Sequence, residues 1–213
     1  MKDLYIIGAG GVGEEVALIV ESINAASPTW NLKGFVDENT DLLGTAILDG
    51  VSVVSSLKEI LQTEEEIYVS VAISNPLVKA RIVRKIKRNK NIKFATLIHP
   101  SVPLNRTIQI GEGSIIYSNV ILSSNIVIGE HVLLSPKVGV GHGSRISNFC
   151  SLLWNVNISG NVVLLESVLI GSSATILQNL VVSEMSVVGA CALVNKNVDA
   201  CNVVVGIPAR VLK

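Results

Sequence analysis

Charge and aromatic side chains are scarce in this 213-residue chain: 16% of residues are Asp, Glu, Lys or Arg, and 4% are Phe, Trp or Tyr. Basic and acidic residues balance at 17 each, so no overall field draws the chain to nucleic acid or to an anionic membrane, and a small, locally recognised partner is expected instead. Long hydrophobic runs are absent too. No segment reaches the roughly 20 apolar residues of a membrane span, and no Ala-x-Ala cleavage pattern follows the short run Leu4–Ile7, so no membrane insertion and a cytoplasmic location are expected. The three cysteines, Cys150, Cys191 and Cys201, form no CxxC pair and read as reduced, buried thiols. No His, Cys, Asp and Glu cluster has ligand spacing, so no metal is expected.

What is abundant is aliphatic side chain, at a hydrophobic content of 49%, which excludes disorder. The charge that exists falls unevenly: 23 of the 34 charged residues precede residue 98, and only seven lie between 109 and 198. Two architectures are therefore expected, over 1–97 and 98–213.

The first part alternates strand-like and helix-like runs. Leu4–Ile7 breaks at Gly8-Ala9-Gly10-Gly11-Val12-Gly13, after which Val16, Ile19, Val20 and Ile23 recur at helical spacing. Gly34–Val36, Val51–Val54 and Ile67–Ile73 are further strands, and Asn75-Pro76 reads as an N-cap and first helical residue of a helix running to about Asn89. Strands alternating with helices imply a small parallel α/β sheet.

The second part has a period of six. Cut from Gln109, it gives fifteen hexads from QIGEGS to LVNKNV, and the second residue is Ile, Leu or Val in every one, from Ile110 to Val194. One inward aliphatic per six residues, with Gly, Ser and Asn at most other positions, suits short flat strands joined by tight corners, three to a coil, each aliphatic stacking on the residue eighteen positions away. No insertion interrupts residues 109–198, which gives five coils and no lid.

Three features carry chemistry. The GxGxxG run between strand and helix is either a tight packing turn or a place where backbone approaches a phosphate at a helix amino terminus, with Asp37 at the end of the second strand placed for a ribose or base. His142, flanked by Gly141 and Gly143, is accessible on the coil wall and suits a general base, whereas His99 and His131 read as structural or surface residues. The run Lys79–Lys93 holds eight basic residues and no acidic one, and reads as a solvated helix face.

With the hexads, the GAGGVG turn, His99-Pro100-Ser101, His142 and the terminal VVVGIPARV, the sequence resembles the hexapeptide-repeat acyltransferases, and among them the NeuD/PglD family of sialic acid O-acetyltransferases and amino-sugar N-acetyltransferases. The resemblance implies a small Rossmann-like domain followed by a left-handed parallel β-helix. It also implies a homotrimer, with acetyl-CoA between subunits and a nucleotide-linked amino sugar on the amino-terminal domain. Sialic acid O-acetylation, or non-catalytic binding of a nucleotide sugar, are the other activities it allows. His142 would be the catalytic base, and Gly160 would supply the amide facing the thioester carbonyl. Ser151, Gly171, Ser172, Gly189, Ala190, Gly206, Pro208 and Arg210 would line the cofactor, while Gly10, Gly11, Val12, Asp37, Glu38 and Ser74 would hold the substrate. Three positions depart from the pattern: Gly143 stands where an acid follows the histidine, Ser151 where a second histidine is common, and Val12 where the glycine loop often has a histidine.

Overall fold

The structure, a computed structural model, describes residues 1–212; Lys213, the last residue of the expected second part, lies outside it. The chain opens with β1 (Lys2–Ile7), α1 (Gly11–Ala26) and β2 (Trp30–Asp37), followed by β3 (Ala46–Leu48), β4 (Val51–Ser56) and the single turn α2 (Leu57–Ile60). Then come β5 (Ile67–Val71), α3 (Pro76–Ile86) and β6 (Ile92–Phe94). The strands form one sheet in the order β3-β4-β2-β1-β5-β6, parallel except for the β3–β4 pair. Both β2 and β5 flank β1, so the strand order reverses there, which opens a crevice beyond the carboxyl ends of these strands.

Two strands escaped the sequence reading. β3 is three residues long and pairs with β4 across the Asp49-Gly50 turn, where Gly50 has φ +76°. β6, Ile92–Phe94, follows the basic run. Helix α3 ends at Ile86, before the expected Asn89, because Asn89 turns its amide to the carbonyls of Leu61 and Thr63 at 3.1 and 2.9 Å. Its start is as expected: the Asn75 side chain accepts from the amides of Leu77 and Val78 at 3.0 and 3.1 Å, a cap worth about 1 kcal/mol.

From Leu97 the chain winds into a left-handed parallel β-helix of triangular section. One face, the docked face, stacks strands from Leu97–Ile98 through Ile115–Ile116, Leu133–Leu134, Ser151–Leu152, Leu169–Ile170 and Val187–Val188 to Val203–Val205. A second stacks Ile121–Leu122, Gly139–Val140, Asn157–Ile158, Thr175–Ile176 and Leu193–Val194, and a third runs from Ile108–Ile110 to Val181–Val182. Register is eighteen residues from Leu97 to Val194 and sixteen where Val187–Val188 pair with Val203–Val204, so Leu122, Val140, Ile158, Ile176 and Val194 form one buried column. The sixth hexad position also points inward. Val120, Val138, Val156 and Val168 fill it, and where it is polar the side chain donates to the next coil: Ser114 Oγ to Gly129 O at 2.9 Å, Ser144 Oγ to Ser159 O at 3.1 Å and Cys150 Sγ to Leu165 O at 3.0 Å. Every fifth position from Gly113 to Cys191 is left-handed, even at Lys137, Phe149 and Met185.

The docked face explains its name. Val16, Ala17 and Val20 of α1 pack on Leu97, Ile115, Tyr117 and Leu133, and Ile82, Val83 and Ile86 of α3 pack with Phe94 and Phe149. The basic run is a solvated face as expected except at buried Lys79, and its exposed members also form surface ion pairs: Lys87 meets Glu130 at 2.8 Å and Arg84 meets Glu166 at 3.6 Å on the β-helix, while Arg81 and Lys85 clasp Glu38 at 3.0 and 2.8 Å. Cys150 is buried as expected, but Cys191 and Cys201 are exposed, the first in a corner and the second beyond the last full coil. No helix among the described residues is long and apolar enough to cross a membrane.

Candidate active site

Two groups of residues stand apart from the packing. The first lies at the carboxyl ends of β1, β2 and β5. Gly8 has φ +105° and donates to Val36 O at 2.8 Å, and a β-carbon on Gly13 would fall on Gly8 O, so these two glycines are needed for the turn and for close packing of α1. Gly10 and Gly11 are different. A β-carbon on either would meet nothing within 4 Å, and neither has a left-handed backbone. Gly10 begins α1 without a side-chain cap, so the first amides of a 16-residue helix face this open space. The Asp37 carboxylate closes the loop from the side, Oδ2 accepting from Ala9 N and Oδ1 from Asn39 N, each at 2.9 Å. Ser74 is half-buried just beyond β5, and half-buried Val12 packs with the α1 cluster. The crevice thus gathers Gly10, Gly11, Asp37 and Ser74, while Glu38 turns its side chain to Arg81 and Lys85 on α3.

The second group runs along the edge between the second and third faces. His142 is exposed there, and its ring lies over Gly160 on the next coil: a β-carbon on Gly160 would come within 2.7 Å of Cε1 and Nε2. Gly141 stacks just as tightly, since a β-carbon on it would meet Gly160 N at 2.7 Å. Among the described residues no group accepts from the half-buried Gly160 amide. A ring nitrogen and a free amide on neighbouring coils can serve a proton transfer and a developing oxyanion.

The cofactor-lining residues fall elsewhere. Gly171, Ser172, Gly189 and Ala190 lie on the edge between the docked and second faces. A β-carbon on Gly171 would meet Ala190 N at 2.6 Å, and one on Gly189 would meet Val205 Cγ1 of the tail at 2.8 Å. Gly206, with φ +98°, Pro208 and Arg210 are exposed in the tail that folds back over this end, Gly206 O accepting from Leu193 N at 3.0 Å. A full face separates this edge from His142, so a single chain does not join them. Ser151 departs from its expected place in the cofactor set. It is fully buried where α3 meets the docked face, and its hydroxyl accepts from Lys79 Nζ at 2.9 Å, so it has no surface to offer a cofactor.

The packing of α1 and α3 on the docked face buries four titratable groups, of which the sequence had singled out Cys150 and His131 but not Lys79 and Tyr117. Lys79 is 2% exposed, bonded to Ser151 and, at 3.3 Å, to Cys150 O, and burial holds its amine down to about 7. Burial pushes the Cys150 thiol up to about 12, and the Tyr117 phenol well above its usual range with help from Glu15. His131 is 1% exposed between Phe94 (centroids 4.5 Å, edge-on) and Phe149 (5.4 Å, stacked), and neither ring nitrogen has a partner. Burial holds it down to about 4. The only sequence signal for Lys79 was a lysine at a core-facing helical position, which periodicity alone reads as a solvated end of the basic run.

Residues 3–86 match the PglD N-terminal domain family. A GDP-perosamine N-acetyltransferase from Escherichia coli O157:H7 is 28% identical over 180 residues, covering 84% of this chain and 80% of the relative. Among solved structures, the acetyltransferase domain of PglB from Neisseria gonorrhoeae in complex with acetyl coenzyme A superposes with a TM-score of 0.88 at 23% identity, covering 99% of each chain. PerB from Caulobacter crescentus in complex with CoA and GDP-perosamine gives 0.85 at 23%, covering 100% of this chain and 98% of the other. WeeI from Acinetobacter baumannii AYE gives 0.87 at 27%, covering 100% of both.

Proposed function

We propose that this chain, which belongs to the NeuD/PglD family of hexapeptide-repeat acyltransferases, moves an acetyl group from acetyl-CoA to the amino group of a nucleotide-linked amino sugar. The observation that carries the reading is the seat of His142 over the free amide of Gly160. As the sugar amine attacks the thioester carbonyl, His142 takes its proton, and the Gly160 amide receives the negative oxygen. Collapse of the tetrahedral species expels the CoA thiolate, which is reprotonated from the imidazolium. General-base assistance contributes about 10²–10⁴ in rate and an oxyanion donor about 10²–10³.

The open glycines and uncapped start of α1 support a nucleotide sugar with its diphosphate at Gly10 and Gly11. Asp37 would hold the loop in shape and keep spare lone pairs for the nucleoside, with Ser74 alongside. The separation of His142 from Gly171, Ser172, Gly189 and Ala190 supports a homotrimer, in which one subunit's histidine edge faces another's cofactor edge. Both substrates belong to the cytoplasm, where the reading places the protein.

The test is acetyl-CoA turnover with GDP-, UDP- and dTDP-linked 4-amino sugars and with free sialic acid, read as released thiol. Turnover of an amino sugar is expected, and the relative from Escherichia coli makes GDP-perosamine the first to try. Acetylation of free sialic acid alone would replace the reading by O-acetylation. Binding of nucleotide sugar without any thiol release would mean a non-catalytic binding protein.

A further inference from the structure

Lys79 occupies a core-facing position of α3 in a junction that is otherwise apolar, where Ala80, Ile82, Val83 and Ile86 share one buried cluster with Phe94 and Phe149. Apolar contacts have no direction, so they press α3 to the docked face without fixing where it stops. The Lys79 amine is directional. It is 2% exposed and donates to Ser151 Oγ at 2.9 Å and to Cys150 O at 3.3 Å, both of them uncharged acceptors on fully buried residues. It has no ion-pair partner among the described residues. The other polar ties from α3 to the β-helix, Arg84 to Glu166 and Lys87 to Glu130, are exposed ion pairs, which contribute little. A methionine at 79 would bury as well with no amine to desolvate, so neither packing nor stability asks for lysine here.

The bonds of Lys79 join the two halves of the site. Its backbone amide donates to Asn75 O at 2.9 Å, which puts it one helical turn from Ser74 at the crevice. Its side chain ends on the coil that continues to Gly160, and the strand Ser151–Leu152 on that coil pairs with Leu133–Leu134 on the coil that continues to His142. We propose that Lys79 is a positioning residue for the transfer: its bonds to Ser151 and Cys150 set the height of the nucleotide-sugar crevice along the β-helix, and with it the reach of the sugar amine to the His142 edge. The proposal rests on the acetyl-transfer reading given above. Stacked coils lie about 4.8 Å apart, and a misplacement of about 1 Å can cost about 10² in rate, so loss of this tie is felt at the reacting atoms although Lys79 touches none of them.

The test compares Lys79→Met, Ser151→Ala and the double variant with wild type in the full-length protein. Lys79→Met should melt no lower than wild type at neutral pH and bind nucleotide sugar and CoA, each alone, with unchanged affinity, yet its kcat should fall about tenfold or more. A lysine that only packs would shift the melting temperature and leave kcat alone. Ser151→Ala should lower kcat to a similar degree, and in the double variant the losses should not add, since both act through one bond. Crystal structures of wild type and Lys79→Met, superposed on the coils, should show Gly10 and Asp37 displaced by about 1 Å or more. Wild-type kcat in Lys79→Met, or an unmoved amino-terminal domain, would overturn the assignment. Because the displacement is read without substrate, absence of turnover by the wild type would count against the proposed reaction and not against this one.

Discussion

The imidazole of His142 lies over Gly160, one coil further on, with no room between them for a methyl group. The two residues are eighteen apart in sequence and meet because each coil consumes three hexads. Gly160 does not have a left-handed backbone, so nothing in its own conformation asks for glycine; the histidine above it does. Gly160→Ala should therefore fold normally, with a melting temperature within a few degrees of wild type, yet lose roughly 10²-fold or more in kcat by tilting the ring away. Wild-type turnover in Gly160→Ala would show that the ring's seat is irrelevant to the reaction.

His142→Ala should lower kcat by about 10²–10⁴ while leaving CoA affinity unchanged, because it removes a proton acceptor and leaves the glycine-lined cofactor groove intact. In Gly160→Ala/His142→Ala the losses should not add, since both act through one imidazole. Steady-state kinetics on the three variants decides it, and additive losses would assign Gly160 a separate role through its amide.

Much of this was legible in the sequence, for reasons that differ by residue. The aliphatic second position is invariant because nothing polar fits the helix interior at that point, so it announces the fold unaided. The sixth position is equally buried but admits Ser114, Ser144 and Cys150, whose side chains reach carbonyls of the next coil, and that polar content hid it. His142 stood out by its flanking glycines. Lys79 did not, because its surroundings come from Cys150 and Ser151, more than seventy residues later.

Gly10 and Gly13 separate ligand binding from folding within one motif. Gly10→Ala should leave thermal stability unchanged or slightly higher, since the β-carbon enters open space and the unfolded chain loses freedom, but should weaken nucleotide-sugar binding by crowding the start of α1. Gly13→Ala should destabilise the fold outright, as its β-carbon lands on Gly8 O. Calorimetric titration with the nucleotide sugar and with CoA, beside melting curves, tests both. Undiminished sugar affinity in Gly10→Ala would leave the loop a packing turn.

Asp37→Ala should also weaken nucleotide-sugar binding and spare CoA, though the structure changes the reason. The carboxylate braces the loop through Ala9 N and Asn39 N, so part of the loss comes from a slackened loop. Asp37→Asn retains one good acceptor and should lose less. Equal losses for sugar and CoA would point to general unfolding instead.

The junction between α3 and the β-helix should make stability depend on pH in two separate windows. His131 is held down to about 4 from 6.5 by burial and by the nearby charge of Lys87 and Lys79, against the weaker opposing pull of Glu130. Between those values the unfolded chain binds the proton and the folded one does not, so stability falls as pH drops through this range, by up to about 3 kcal/mol at its lower end. Lys79 is held down from 10.5 to about 7, so the unfolded chain again binds more protons between those values, and stability should rise with pH across them. His131→Phe, stacking beside Phe149 as the imidazole does, should flatten the acid limb relative to wild type. Lys79→Met should flatten the neutral-to-alkaline limb and raise stability near pH 7, where the buried amine is costliest relative to an apolar side chain. Melting temperatures of the three proteins from pH 4 to 10 give the comparison. Parallel curves for His131→Phe and wild type below pH 6.5 would show that the imidazole is solvated and that this junction opens before it titrates.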